Sequence, residues 1–319
     1  MENIEEKVKR CYENKPFPNL LQNSEDKDKT LDEITAWLKI NLQSMTSGLP
    51  TFNPRKILVA GCGTGEEVIA LTRLFNDVEI EAVDICDASL EIAQQNFDMF
   101  SVSNVTLKKM SILKELPNYN ASFDLVFCSG VVHHLEEPET GFDILSTKVN
   151  QNGVLIVNLY HSYGLFFYKL QYSLINLFAG RSFDKRAKLA KQLKFYKEKG
   201  DKDETLLFDS YVNPQVTTFT IGQVNNWAKK YNLSLSGVSP PLSISGLIKF
   251  GLDAKNYVRR RKSIINVFLG FLSKFQGNGD ASTKRFRYRP AKVFFYELIF
   301  LVLGKGECWY FLEKTDRNE

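Results

Sequence analysis

Four kinds of residue in this chain are spaced as if to do chemistry. Three glycines stand at alternate positions, Gly61, Gly63 and Gly65. Glycine lacks a Cβ, so a backbone built from it bends sharply and approaches a ligand closely. Asp84 follows Gly65 by nineteen positions, the interval at which a carboxylate reaches ribose hydroxyls in nucleotide-binding α/β folds. The histidines are His133, His134 and His161, and imidazole titrates near neutral pH, where it can take a proton from a nucleophile. His161, at a strand terminus, is the first candidate for a general base, and His133 is the second. Tyr160 and Tyr211 are candidates for positioning a substrate.

The elements that would carry these residues are legible around them. Ile57–Ala60 is a run of apolar or small residues, the pattern of a strand buried on both faces. The glycines follow at once, and then a helical pattern with Val68, Ile69, Leu71, Leu74 and Phe75 on one side. Strand, glycine turn and helix form the ligand-binding start of a doubly wound sheet. A tight turn without a ligand would use the same glycines. A dinucleotide fingerprint would place a glycine at position 66, where this chain has Glu66 followed by Glu67. Two acids at a helix start suit a cation and oppose a pyrophosphate.

The run Gly61-Cys62-Gly63-Thr64-Gly65-Glu66 resembles motif I of the class I S-adenosylmethionine (SAM) methyltransferases. Phe123-Asp124-Leu125-Val126 and His133-His134-Leu135-Glu136-Glu137-Pro138 resemble motif IV and the following segment of the small-molecule members. The resemblance implies SAM as cofactor, held by Gly61, Cys62, Gly63, Gly65, Asp84, Ile85, Ser111, Ile112, Ser129 and His134. The family pattern has an aspartate where this chain has Ser111, so the adenine would be held by backbone at Ile112 and by packing. In such families the histidine pair also serves to order its loop or border SAM without proton transfer. A leader in this superfamily often folds over the cofactor, which makes Tyr12 and Phe17 candidates for a lid and for substrate contact. Absences narrow the acceptor. The chain has Ser129-Gly130-Val131-Val132 where base-amino enzymes carry Asn/Asp-Pro-Pro-Tyr/Phe, cytosine-carbon enzymes a Pro-Cys and catechol enzymes a metal-binding aspartate. A metal-independent enzyme methylating oxygen, nitrogen or carbon of a small, apolar or lipid-like molecule is the implied function. An RNA or protein methyltransferase and a non-catalytic relative are the alternatives.

Strand patterns at Val78–Val83, Val105–Lys109, Phe123–Cys128 and Val154–Leu159 alternate with helical ones. This predicts an α/β fold, doubly wound, with a mostly parallel seven-stranded sheet, an antiparallel last strand and helical insertions. The expected organisation is a helical leader or lid over 1–50, a SAM-binding core over 51–161 and a helical insertion over 162–215. A core helix and sixth strand over 216–239, a second insertion over 240–305 and the last strand over 306–319 complete it. Within the insertions, Phe166, Phe167, Tyr168, Tyr172, Phe178, Phe250, Phe268 and Phe271 could roof an apolar pocket, pack helices or form a dimer face. Hydrophobic content of 44% with 24% charged residues is ordinary for a globular chain of 319 residues. A net charge of +4 does not call for a nucleic-acid partner. Five scattered cysteines fit reduced thiols and a cytoplasmic setting, and three histidines with no Cys-x-x-Cys argue against a metal site. The N-terminus lacks a signal-peptide pattern. The basic clusters Arg259–Lys262 and Lys284–Arg289 could touch an anionic membrane surface, a phosphorylated substrate or RNA, or form a solvated face. The expected partner is a small molecule, and the oligomeric state, monomer or homodimer, stays open.

Overall fold

The computed structural model describes residues 3–46, 52–180, 182–192, 208–243, 246–247, 288–303 and 306–314. Two helices lead in, α1 (Ile4–Asn14) and α2 (Lys27–Thr46). Then come β1 (Lys56–Ala60), α3 (Glu66–Leu74), β2 (Glu79–Asp84), α4 (Asp87–Met99) and β3 (Val105–Lys109). They are followed by β4 (Phe123–Ser129), α5 (Pro138–Thr147), β5 (Val149–Tyr160), α6 (Phe166–Ala179) and α7 (Phe183–Gln192). The described chain ends with α8 (Ile221–Lys230), β6 (Leu233–Ser239), α9 (Pro290–Leu303) and β7 (Glu307–Lys314).

The strands form one seven-stranded sheet in the order β3-β2-β1-β4-β5-β7-β6. The pairs among β1 to β5 are parallel, and β7 runs antiparallel to both β5 and β6. This is the expected architecture. The strand order reverses at β1, which lies between β2 and β4, so a crevice opens beyond the carboxyl ends of these strands. β1 is short because its job is burial. Ile57, Leu58, Val59 and Ala60 are all nearly inaccessible, and the alternate residues feed two opposite core layers. β5 starts earlier than the hydrophobic pattern suggests, because Val149 pairs with Phe123 ahead of a register irregularity.

The expected leader is more than a lid. Leu31, Leu38 and Met45 of α2 are buried in the same layer as β1 and α3. Met45 carbonyl lies so close to β6 that a Cβ on Gly237 would sit 2.1 Å from it. From the second insertion, α9 sends Val293, Tyr296, Ile299 and Phe300 into the opposite layer. The expected helix over 264–275 and the basic residues 259–262 and 284–287 lie outside the described residues. So do Phe250, Phe268 and Phe271. Among the described residues, no helix is long and apolar enough to cross a membrane.

Candidate functional site

A cavity of about 750 Å³ lies between the leader and the carboxyl ends of the central strands. Its floor is the glycine turn. Gly61 and Gly63 have φ of +78° and +53°, the left-handed region that favours glycine. A Cβ at Gly61 would stand 2.3 Å from Val131 Cγ2, and one at Gly63 would stand 2.5 Å from Phe17 carbonyl oxygen. The leader therefore crosses directly over the turn. Glu66 pins it there. Its carboxylate accepts from Leu20 N–H at 2.7 Å and from the Thr64 hydroxyl, while Asn19 N–H donates to Thr64 Oγ1 at 3.1 Å. Glu66 is 1% exposed, so it clamps the leader rather than facing a ligand freely. Burial pushes its carboxyl up.

Asp84 ends β2 on the other side of β1. Its Oδ2 accepts from Gly63 N–H at 2.8 Å and its Oδ1 from Cys86 N–H at 2.9 Å. These bonds fix the carboxylate against the turn, and each oxygen keeps a lone pair. The start of α4 is capped from elsewhere, by Glu13 of α1, which accepts from Asp87 and Ala88 N–H. Burial raises the Asp84 pKa, and the backbone donors oppose that rise. Ile85, Ser111 and Ile112 line the adjoining end of the cavity. Ser111 Oγ is spent on Leu113 and Lys114 N–H, so it serves its own loop.

At the ends of β4 and β5 a polar group gathers. His133 is 1% exposed, both its ring nitrogens lack a partner, and its ring stacks on Tyr160 at 3.8 Å. Burial and the neighbouring His134 push its pKa well below the ordinary value, so the ring is neutral. His134 Nδ1 donates to Gln215 carbonyl at 2.6 Å, which leaves Nε2 turned toward Asp209 at 3.4 Å. That contact is an ion pair only when the imidazole is protonated, and its geometry falls short of a hydrogen bond. Asp209 is 4% exposed and accepts from the Tyr12 hydroxyl at 2.8 Å and the Tyr160 hydroxyl at 2.9 Å. It joins the leader to β5 at the cavity wall.

The structure thus brings together Tyr12, Phe17, Gly61, Cys62, Gly63, Asp84, Ile85, Ser111, Ile112, Ser129, His133, His134 and Tyr160 as cavity-lining residues. Gly65 shapes the turn from outside, where its missing Cβ makes room for Phe97. Two expected residues lie elsewhere. His161 is 0% exposed, and its Nδ1 accepts from Gly164 N–H at 3.2 Å while its Nε2 faces Glu297 of α9 at 3.2 Å. Strand alternation explains the correction: Tyr160 and its neighbour His161 point to opposite sides of the sheet. Tyr211 is buried, and its hydroxyl donates to Gln171. Phe166, Phe167 and Phe178 are 56%, 68% and 72% exposed and line no part of the cavity, so they do not roof it. Asp209 was missed because nothing near it in sequence marks it; only Tyr12 and Tyr160 converging on it do. The described cysteines are buried free thiols, and burial raises those at Cys62 and Cys128, so neither offers a thiolate nucleophile.

Two predictions arise here. His161→Ala should lower stability by about 1–3 kcal/mol through the lost buried bond, with turnover and cofactor affinity unchanged in the folded fraction. Thermal melts and kcat below the melting range check this, and a slowed kcat in intact protein would return His161 to the site. The second concerns pH. Burial, with the nearby charge of Glu307, raises Glu67 from 4.5 to about 7. Between those values the native state holds more protons than the unfolded chain, so stability falls as pH rises through that window. Glu67→Gln should flatten the fall, as chemical denaturation at pH 5 and 7.5 would reveal.

A crevice at the switch point of a doubly wound sheet, floored by a glycine turn and faced by an acid one strand over, defines a Rossmann-like cofactor-binding domain. The sequence pattern of a methyltransferase domain family matches residues 54–226, more than half of the chain, and the chain belongs to that family, with the class I fold of SAM-dependent methyltransferases. It is 27% identical over 212 residues to an uncharacterised protein of Synechococcus sp., covering 61% of this chain and 51% of that one. It is 31% identical over 107 residues to the mitochondrial ubiquinone biosynthesis O-methyltransferase of Schizosaccharomyces pombe, covering 34% and 38%. The chain thus spans about half the length, or less, of these curated relatives. In fold it is similar to PKMT2 from Rickettsia typhi, solved in complex with AdoHcy, with a TM-score of 0.53 at 17% identity, over 89% of this chain and 53% of that one. The family's cofactor is SAM. This cleft's own residues fit it, because Gly61 and Gly63 bring bare backbone to the cavity wall and Asp84 lines the same cavity with acceptor capacity to spare.

Proposed function

We propose that the protein methylates a small molecule held at the ends of β4 and β5, beside Tyr160 and His133, using SAM. The observation that carries this reading is one cavity that contains both halves of the required apparatus. The glycine turn and Asp84 lie at one end, and an unpartnered neutral imidazole stacked on a tyrosine lies at the other.

Bound SAM supplies a methyl group on a sulfonium, a leaving group already charged for displacement. The protein's task is to hold the acceptor in line, and orientation alone can supply about 7–11 kcal/mol. Gly61 and Gly63 would let the donor lie against backbone, Asp84 would accept from the ribose hydroxyls, and Ile85 and Ile112 would border the adenine. Tyr12 and Tyr160, tied through Asp209, fix the acceptor side. His133 keeps a lone pair at neutral pH and can take the proton that an oxygen or nitrogen acceptor loses. Its depressed basicity limits this to a minor share of the rate. The enclosure under the leader favours a small acceptor, and the acidic lining opposes a polyanion such as RNA. Phe166, Phe167 and Phe178, three of the insertion aromatics, are exposed and lend no support to an apolar, lipid-like acceptor.

The test is calorimetric and chemical. S-adenosylhomocysteine should bind to the purified chain, and a metabolite extract supplied with labelled SAM should yield a labelled small molecule. Failure to bind, or label appearing only in RNA or protein, overturns the proposal.

A further inference from the structure

The cavity carries charge of one sign. Its described lining contains Glu5, Glu33, Glu66, Glu67, Asp84, Glu136, Asp209 and Glu307, and no lysine or arginine. Glu5 is engaged with Lys114, Glu66 with the leader, and Asp209 with Tyr12 and Tyr160.

The acids at the far end are built into a pocket. Ser129 Oγ donates to Glu67 Oε1 at 3.1 Å, and Asn158 Nδ2 donates to Glu307 Oε2 at 3.3 Å. Ser129 and Asn158 are paired across β4 and β5, and Asn158 is paired with Trp309 across β5 and β7. Asn158 is 6% exposed, and its Oδ1 has no donor. Trp309 Nε1 is an unpartnered donor at the same end. A buried carbonyl oxygen without a donor is destabilising, and an incoming N–H would satisfy it.

We propose that this pocket, Glu307 and Asn158 with Glu67 on the near side, holds an ammonium group of the methyl acceptor, so that the substrate is a cationic amine. The inference rests on the methyltransferase reading given above. An ammonium offers three donors and a full charge, which matches two carboxylates and one open carbonyl. Glu67 fits this role, since burial first and the repulsion of Glu307 after it disfavour its charged form, and a cation between the two carboxylates would offset both. The cofactor carries an ammonium too, but distance assigns the Glu307 side of the pocket to the acceptor. From β2, which carries Asp84, to β7, which carries Glu307, there are four strand spacings. At about 4.8 Å each this is roughly 19 Å, so Glu307 lies past the end of a donor whose sugar is held at Asp84.

The experiment begins with affinity for S-adenosylhomocysteine, whose absence would sink the methyltransferase reading itself. The saturated protein is then titrated with phenethylamine, phenethyl alcohol and phenylacetate. The amine should bind at least about tenfold more tightly than the alcohol, and phenylacetate should bind least. Glu307→Gln should erase the preference while the affinity for S-adenosylhomocysteine stays within about twofold. Amine binding no tighter than alcohol, or a preference that survives Glu307→Gln, would overturn the ammonium site. So would a Glu307→Gln variant that loses S-adenosylhomocysteine instead, because the pocket would then belong to the cofactor.

Discussion

Replacing Asp84 with alanine should weaken binding of S-adenosylhomocysteine by at least about 100-fold. A carboxylate that accepts from both ribose hydroxyls makes two charge-assisted hydrogen bonds, each worth about 1.5–3 kcal/mol, and roughly 1.4 kcal/mol is a factor of ten. The loss has a second source. Asp84 also holds Gly63 N–H at 2.8 Å, so the alanine loosens the turn against which the donor lies. Asp84→Asn separates the two effects, since it keeps an acceptor for the turn and removes the charge. Calorimetry on both variants, with melting curves to confirm folding, makes the measurement. If Asp84→Ala bound as tightly as the unaltered protein, the sugar would be held elsewhere and the cofactor assignment would fail with it.

The second large effect is expected at Asp209. Its two oxygens accept from Tyr12 and Tyr160, and it faces His134 at 3.4 Å. Asp209→Asn keeps the shape but turns one acceptor into a donor, which two hydroxyl donors and a nearby imidazole cannot all satisfy. Tyr160 would swing away from the stacked His133 ring. A drop of about 10–100-fold in kcat/KM is expected, the size of one or two bonds to a charged group, with cofactor affinity little changed. Tyr160→Phe should reproduce most of the loss because it breaks the same tie. Steady-state kinetics on the natural acceptor would decide the matter. A kcat/KM equal to that of the unaltered protein in both variants would show that the network supports only the leader.

Local signals carried far in this chain. The alternation of strand and helix patterns from Lys56 to Tyr160 is confirmed by the sheet, including the antiparallel last strand. The glycine turn could be read because left-handed backbone favours glycine, which adopts it at no steric cost. Asp84 could be read because the first βαβ unit of such folds sets an acid about twenty residues past the glycine turn, at the end of the adjacent strand. His161 shows where such reasoning stops. A strand terminus is a good place for a catalytic side chain, but which of two successive residues faces the cavity depends on the pleat. Tyr160 faces it, and His161 turns to Glu297, whose element is more than a hundred positions away.

The amino-acid sequence by itself determined the class of fold, the glycine turn and the acid that lines the same cavity, because each depends on contacts within one or two neighbouring elements. Only the tertiary structure decided what else lines the cavity. Asp209 and Glu307 come from distant stretches, and they line it beside Tyr12, which the sequence had already marked, because β7 inserts between β5 and β6 and the leader folds back over the turn. Such a meeting depends on long-range packing, which leaves no spacing in the sequence to be read.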